Sequence, residues 1–455
     1  VESKRQAAHP IKINAGRWWL LLTLILLVAA ALRLWGLPGL PPGPHYDEAA
    51  NGVLAAEIAH GDEMPVFISS YTGKEVLFFY WSAAWMRLLG DSLLALRLPS
   101  ALAGLLTVAA TAWLVYELFR DDDPQGAPWL AALAAALLAT SFWHVLLSRL
   151  GFRAITQPLC QALTLAALWR GLRLGEQRWL LLGGLFCGLT GYTYLAARAF
   201  PIPLAITFTV LFVGDVGQRR RRLIQCALFG SAALVSFAPL GRYFLRHPEA
   251  FSTRMDQVGP GDDWHAALDG VVAALKMLFV RGDPYVRFNL PWRPLFGPVV
   301  AFLFVVGLGV TLWRLLRPRT AGRSPALSRA REVLLLVWIP AMLLPTALAI
   351  NEITPSNLRA VGLIPLVFVF PARGVLGWDG GRKTKDEGRI GRWGRFGVTC
   401  ILLLATGFVT ARAYFGQYAP RTDLYEACDG DLADVAAYVN QADLNDTTVY
   451  VGSVH

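Results

Sequence analysis

The chain has 455 residues, 55% of them hydrophobic and 16% charged, with a mean hydropathy of +0.45. Soluble domains carry roughly 25% charged residues, so there is too little polar material here to coat two or three of them. The same numbers exclude disorder, and five cysteines exclude a disulfide scaffold. The net charge of +10, from 42 Lys and Arg against 32 Asp and Glu, would suggest a nucleic-acid partner in a soluble basic domain. No such domain is visible, and membrane proteins collect Lys and Arg in their cytoplasmic loops. The composition describes a protein solvated by lipid, with no nucleic-acid partner.

A membrane span needs about 20 apolar residues. The first runs from Trp18 to Leu37, with Arg33 as its only charge. It is too long for a signal-peptide core, and no small-residue cleavage site follows it. Further apolar stretches at 92–116, 127–148, 154–172, 179–197, 199–214, 223–243, 295–313, 332–350, 360–378 and 396–414 predict about eleven spans in all. With residues 1–17 as a cytoplasmic segment, alternate connections hold 24 of the 42 Lys and Arg, including Arg219–Arg222. That bias fits the positive-inside rule and puts the C-terminus outside. Residues 416–455 turn polar, with a helix expected at 430–441 and a strand at Thr447–Val451. They read as the truncated start of an extracytoplasmic α/β domain.

The outer connections carry acids, aromatics and isolated cations. The first, 38–91, opens with Pro38-Gly39-Leu40-Pro41-Pro42-Gly43-Pro44, which cannot be helical. Asp47 then reads as the N-cap of a helix to about His60, with Ala50, Val53, Leu54 and Ile58 as its apolar face on the membrane surface. Asp47 and Glu48 are thus adjacent carboxylates at the interface, with capping and the helix dipole as the bland explanation. Lys74 lies further on, before a second amphipathic stretch at 76–90; it either meets a phosphate or snorkels. Arg149 and Arg153 flank a short outer turn, against the usual charge bias. Tyr194 and Arg198, four apart, share a helical face at the next. The long connection 244–294 holds an amphipathic helix at about 264–279, then Asp283, Arg287 and Asn289, read as a lid over a site at the membrane surface. Arg359 stands at the outer mouth of a later span.

There is no P-loop, no convincing GxGxxG, no Ser/His/Asp arrangement and no metal-ligand spacing. What remains is a carboxylate pair and several cations on one side of the membrane. A phosphate leaving group needs cations where charge develops, and a hydroxyl acceptor needs a base. With nucleotides lacking outside the cell, the phosphate arrives on a lipid. The chemistry that fits is transfer of a sugar from a polyprenyl phosphate to a hydroxyl acceptor.

On these residues the chain resembles the GT-C glycosyltransferase superfamily, closest to the protein O-mannosyltransferase and lipid A aminoarabinose transferase branch. Those enzymes carry an Asp-Glu pair at the start of a juxtamembrane helix in a long first outer loop, and a Lys further on; here these are Asp47-Glu48 and Lys74. The likeness covers residues 18–415. It implies an all-α polytopic membrane protein, a polyprenyl-phosphate sugar as donor, and inverting transfer. Asp47 is implied as catalytic base or acceptor-orienting group, Glu48 beside it as the catalytic acid that holds acceptor or donor hydroxyls, and Lys74 with Arg149, Arg153, Tyr194, Arg198 and Arg359 as the donor-phosphate and substrate site. The sequence departs from the pattern at Lys74-Glu75-Val76, where Lys-Pro-Pro is common, and at Gln157-Pro158, where many relatives carry an acid. A divalent metal is left open by the residues. A transporter or flippase for a lipid-linked or anionic solute is the rival; it predicts polar groups near the midplane and internal repeats, whereas the charges here gather at one rim.

Overall fold

The computed structural model describes residues 15–261, 263–317, 324–376 and 389–441. The α-helices are α1 (Ala15–Leu34), α2 (Tyr46–His60), α3 (Leu77–Leu89), α4 (Leu93–Phe119), α5 (Ala127–Ala139) and the short α6 (Phe142–Leu147), then α7 (Thr156–Leu174), α8 (Gln177–Thr190), α9 (Pro201–Gly214) and α10 (Arg219–Arg246). After them come α11 (Pro248–Val258), α12 (Trp264–Phe279), α13 (Pro298–Leu316), α14 (Pro325–Ala347), the short pair α15 (Ile364–Val367) and α16 (Val369–Leu376), α17 (Arg389–Ala411), α18 (Thr422–Ala427) and α19 (Gly430–Gln441). A single two-stranded antiparallel sheet among the described residues pairs Phe67–Ile68 (β1) with Lys74–Glu75 (β2), in the register Phe67 to Glu75 and Ile68 to Lys74.

Each of the eleven expected stretches falls on helix, but only seven described helical segments are long and apolar enough to cross a membrane. Two of the other four are explained locally. The 127–148 stretch is two helices, broken at Thr140-Ser141, where the Ser141 hydroxyl caps α6. The 154–172 stretch, α7, is nearly all buried in protein and so admits Gln157, Gln161 and Thr164. The strand expected at Thr447–Val451 lies outside the described residues.

The spans sort into inner and outer layers. The apolar windows of α4 and α14 are each 61% buried, against 22% for the α10 and α13 windows. Outer helices turn Leu234, Val235 and Phe302 outwards, as lipid-facing residues do. Alanine-rich α5 is buried along nearly its whole length; its small side chains let α1, α4, α16 and α17 approach closely. Charges inside are paired. Arg33 bonds His144 and the Ala29 and Ala139 carbonyls. Glu117 takes Arg170 and Arg173, and Glu332 takes Arg331 and Arg373. These last clusters lie at the C-terminal end of α4 and the N-terminal end of α14; the candidate site lies beyond the opposite ends of the same two helices.

Candidate active site

The start of α2 sets the site. The first four N–H groups of a helix have no partner within it. Here the Tyr46 N–H donates to Asp429 Oδ2 at 2.8 Å, the Asp47 N–H to His45 Nδ1 at 3.0 Å, and the Glu48 and Ala49 N–H groups to the His45 carbonyl at 2.7 and 2.9 Å. His45, not Asp47, is therefore the N-cap. Burial first, then Arg287, pushes its pKa down to about 4, so the ring is neutral and Nδ1 keeps the lone pair that capping needs. The expected capping role of Asp47 is thus taken over. Its carboxylate instead pairs with Arg287 Nη1 at 2.8 Å, with its side chain 39% exposed.

The buried face of α2 is Glu48, Asn51, Leu54, Ala55, Ile58 and Ala59, while Val53 faces out. Glu48 is enclosed: both oxygens accept from Arg97 at 2.8 Å, and Oε1 also accepts the Gly151 N–H at 2.6 Å. Arg97 in turn donates to the Pro41 and Gly43 carbonyls at 2.9 and 2.7 Å, which fixes the proline-rich segment before α2. Glu48 is thereby a structural acid with no oxygen turned to a substrate. Asn51, one turn after Asp47, accepts from Lys74 Nζ at 2.7 Å and donates to the Gly151 carbonyl at 2.9 Å. The β1–β2 turn presents Lys74; at Gly73, φ is +87° and a Cβ would meet the Phe67 ring at 2.9 Å, so only glycine closes it. Burial, then Arg153, lowers the Lys74 pKa to about 8, against the pull of Asp47.

These groups open on a cavity of about 590 Å³. Asp47, Lys74, Arg153, Tyr194, Asp283, Arg287 and Arg359 line it, as do Tyr46, Asn51, Tyr71, Arg254, Tyr285 and Glu352. Arg153 is held by Glu75 at 3.0 Å and lies over the Tyr194 ring. Arg254 and Arg359 both bond Glu352 across the mouth. Asp283 is buried and accepts the Tyr285 and Asn357 N–H groups at 2.7 and 2.8 Å; burial raises its pKa to about 6 against those bonds. It folds the loop that delivers Arg287. Of the three acids on the wall, Asp283 is buried and Glu352 is shared by two arginines, so Asp47 is the one whose carboxylate is hydrogen-bonded to a single cation.

Three expected substrate ligands lie off the cavity. Arg149 is fully buried and donates to the Leu32, Arg33, Trp35 and Leu40 carbonyls, tying down the end of α1. Arg198 donates to the Phe251 carbonyl and faces Glu75 at 4.0 Å. Asn289 donates to the Asp283 and Arg293 carbonyls, shaping the loop from within. Of the residues the sequence reading passed over, Arg97 carried a signal, a charge within an apolar stretch, and Asn51 another, its place four residues after Asp47. Arg254 and Glu352 carried none. No described group of three His, Cys, Asp or Glu residues is arranged to hold a metal, and Asp47 faces cations on two sides.

The model of the family described as dolichyl-phosphate-mannose-protein mannosyltransferase matches residues 74–243, beginning after Asp47. The archaeal oligosaccharyltransferase AglB from Archaeoglobus fulgidus, solved with an inhibitory peptide and a dolichol-phosphate, superposes with a TM-score of 0.55 at 14% identity, over 96% of this chain and 61% of its own. An Archaeoglobus fulgidus oligosaccharyltransferase solved in complex with Zn and sulfate gives 0.53 at 17%, over 95% of this chain and 59% of its own. ArnT from Cupriavidus metallidurans in the apo state gives 0.50 at 17%, over 88% and 65%. The chain has the GT-C fold. It spans about three fifths of the length of the first GT-C structures it matches. Comparison with curated proteins gives no match.

Proposed function

We propose that this protein is an integral-membrane glycosyltransferase that moves a hexose or pentose from a polyprenyl-phosphate donor to a hydroxyl of a protein, lipid or glycan. The observation that carries the reading is the cavity wall: a carboxylate hydrogen-bonded to a single cation, Asp47, within a set of cations comprising Lys74, Arg153, Arg254, Arg287 and Arg359. In transfer, the acceptor oxygen attacks the anomeric carbon, the carbon–phosphate oxygen bond breaks, and the acceptor proton passes to Asp47. The polyprenyl phosphate leaves with its charge met by Lys74 and the arginines. Attack opposite the leaving group inverts the anomeric centre. Arg287, bonded to Asp47 in the free protein, stands where phosphate and carboxylate would compete for it.

The dolichol-phosphate in the archaeal neighbour supports a lipid-phosphate donor. The charge bias of the connections supports a plasma or inner membrane location, with the N-terminus cytoplasmic and the cavity outside. The test is transfer of label from a panel of polyprenyl-phosphate sugars by membranes holding the full-length protein. Label reaching an acceptor is the expected result and names the sugar. Vectorial movement of the intact donor without glycosidic transfer would support the flippase instead.

A further inference from the structure

The end of the last span, at Tyr418, and the stretch that follows it reach back to both members of the Asp47–Arg287 pair. The Tyr418 hydroxyl, buried, donates to the Arg287 carbonyl at 2.8 Å. Asp429 accepts the Tyr46 N–H, the first of α2 and next to Asp47, at 2.8 Å. Asp429 has φ of +52°, in the left-handed region that a non-glycine residue occupies at some cost. It is held there by contact of main chain on main chain: a Cβ on Gly43 would lie 2.6 Å from the Cys428 carbonyl oxygen and 2.9 Å from Gly430 Cα. Glycine would suit that backbone better, yet the position carries a carboxylate whose contact with the rest of the fold is at the positive end of the helix bearing Asp47.

We infer that the 414–430 segment is a brace for the reacting groups, with Asp429 and Tyr418 as positioning residues that fix Asp47 and Arg287 relative to each other. The inference rests on the transfer reading for its catalytic consequence, but its structural half stands apart from it. Asp429→Gly relieves the backbone and removes the acceptor; Asp429→Asn keeps an acceptor oxygen.

The experiment compares wild type, both Asp429 variants and Tyr418→Phe in the full-length protein by amide hydrogen exchange and by transfer kinetics. In Asp429→Gly, exchange over 46–51 should rise at least fivefold with no rise in α3. The turnover number should fall about tenfold with donor KM nearly constant and the melting temperature no lower. Asp429→Asn should recover most of both, and Tyr418→Phe should lower turnover several-fold. Wild-type exchange at 46–51 in Asp429→Gly overturns the brace whatever the activity. Raised exchange with unchanged turnover overturns the positioning role. Raised exchange in a protein whose wild type transfers no sugar leaves the brace standing and rejects the transfer reading.

Discussion

Asp47 and Lys74 sit seven to eight helical turns apart in sequence terms yet face one cavity, because the β1–β2 turn folds the lysine back onto Asn51. Burial and Arg153 hold the Lys74 pKa near 8, and a lysine is cationic only below its pKa. Donor KM should therefore rise as pH passes from 7.5 to 9.5, and Lys74→Gln should show a high KM that no longer responds to pH over that range. A pH profile of kcat/KM for both proteins checks this; an unchanged wild-type KM through pH 9.5 would remove Lys74 from donor binding. At this scale the sequence was legible where chemistry is local. An acid pair after a proline-rich run and a lysine on the same loop marked the site. It misled where a side chain had a backbone to serve. Arg149 reads as an unexplained outer cation, but four carbonyls at the end of α1 claim it.

The elements around the site are joined by the Glu48–Arg97 pair, both side chains at most 2% exposed. It couples α2 to α4, and through the Arg97 bonds to the Leu37, Pro41 and Gly43 carbonyls it fixes residues 37–43. Removing one partner of such a pair strands a buried charge and costs about 3–5 kcal/mol. Arg97→Met should therefore lower the melting temperature by ten degrees or more, while Arg97→Met with Glu48→Gln should recover a substantial part of it. A double variant no more stable than the single would show that the charges are not what couples the helices. Helix existence was legible from apolar periodicity in α3 and α12, whereas α2 buries Glu48 and Asn51 and leaves Val53 exposed. The cap of α2 was not legible. His45 is a weak cap by type, and its use depends on Asp429 from nearly four hundred residues away taking the preceding N–H. The first helix of the 244–294 connection, α11, was not legible either: it is amphipathic, but it is polar on average, with Arg254 and Asp256 among few apolar residues.

Over the whole molecule, two charge systems occupy opposite ends of α4 and α14. Cavity cations gather beyond one end; the Glu117 and Glu332 clusters gather at the other. The proposed orientation predicts that a Thr72→Cys side chain, exposed beside the cavity, reacts with a membrane-impermeant maleimide in intact cells. Arg220→Cys, exposed at the start of α10, should react only after permeabilisation. The reverse pattern would invert the topology. Span location was legible even where protein wraps the helix: α7 keeps Gln157, Gln161 and Thr164 and still reads as an apolar stretch, while α13, little buried, is the most apolar.

The most direct measurement is sugar transfer from the polyprenyl-phosphate panel by wild type and Asp47→Asn, prepared side by side and matched for melting temperature. Loss of Asp47 as proton acceptor should cut turnover by about a hundredfold or more with donor binding retained. An Asp47→Asn protein that transfers sugar at the wild-type rate would contradict the assignment of this cavity's carboxylate as the reacting base.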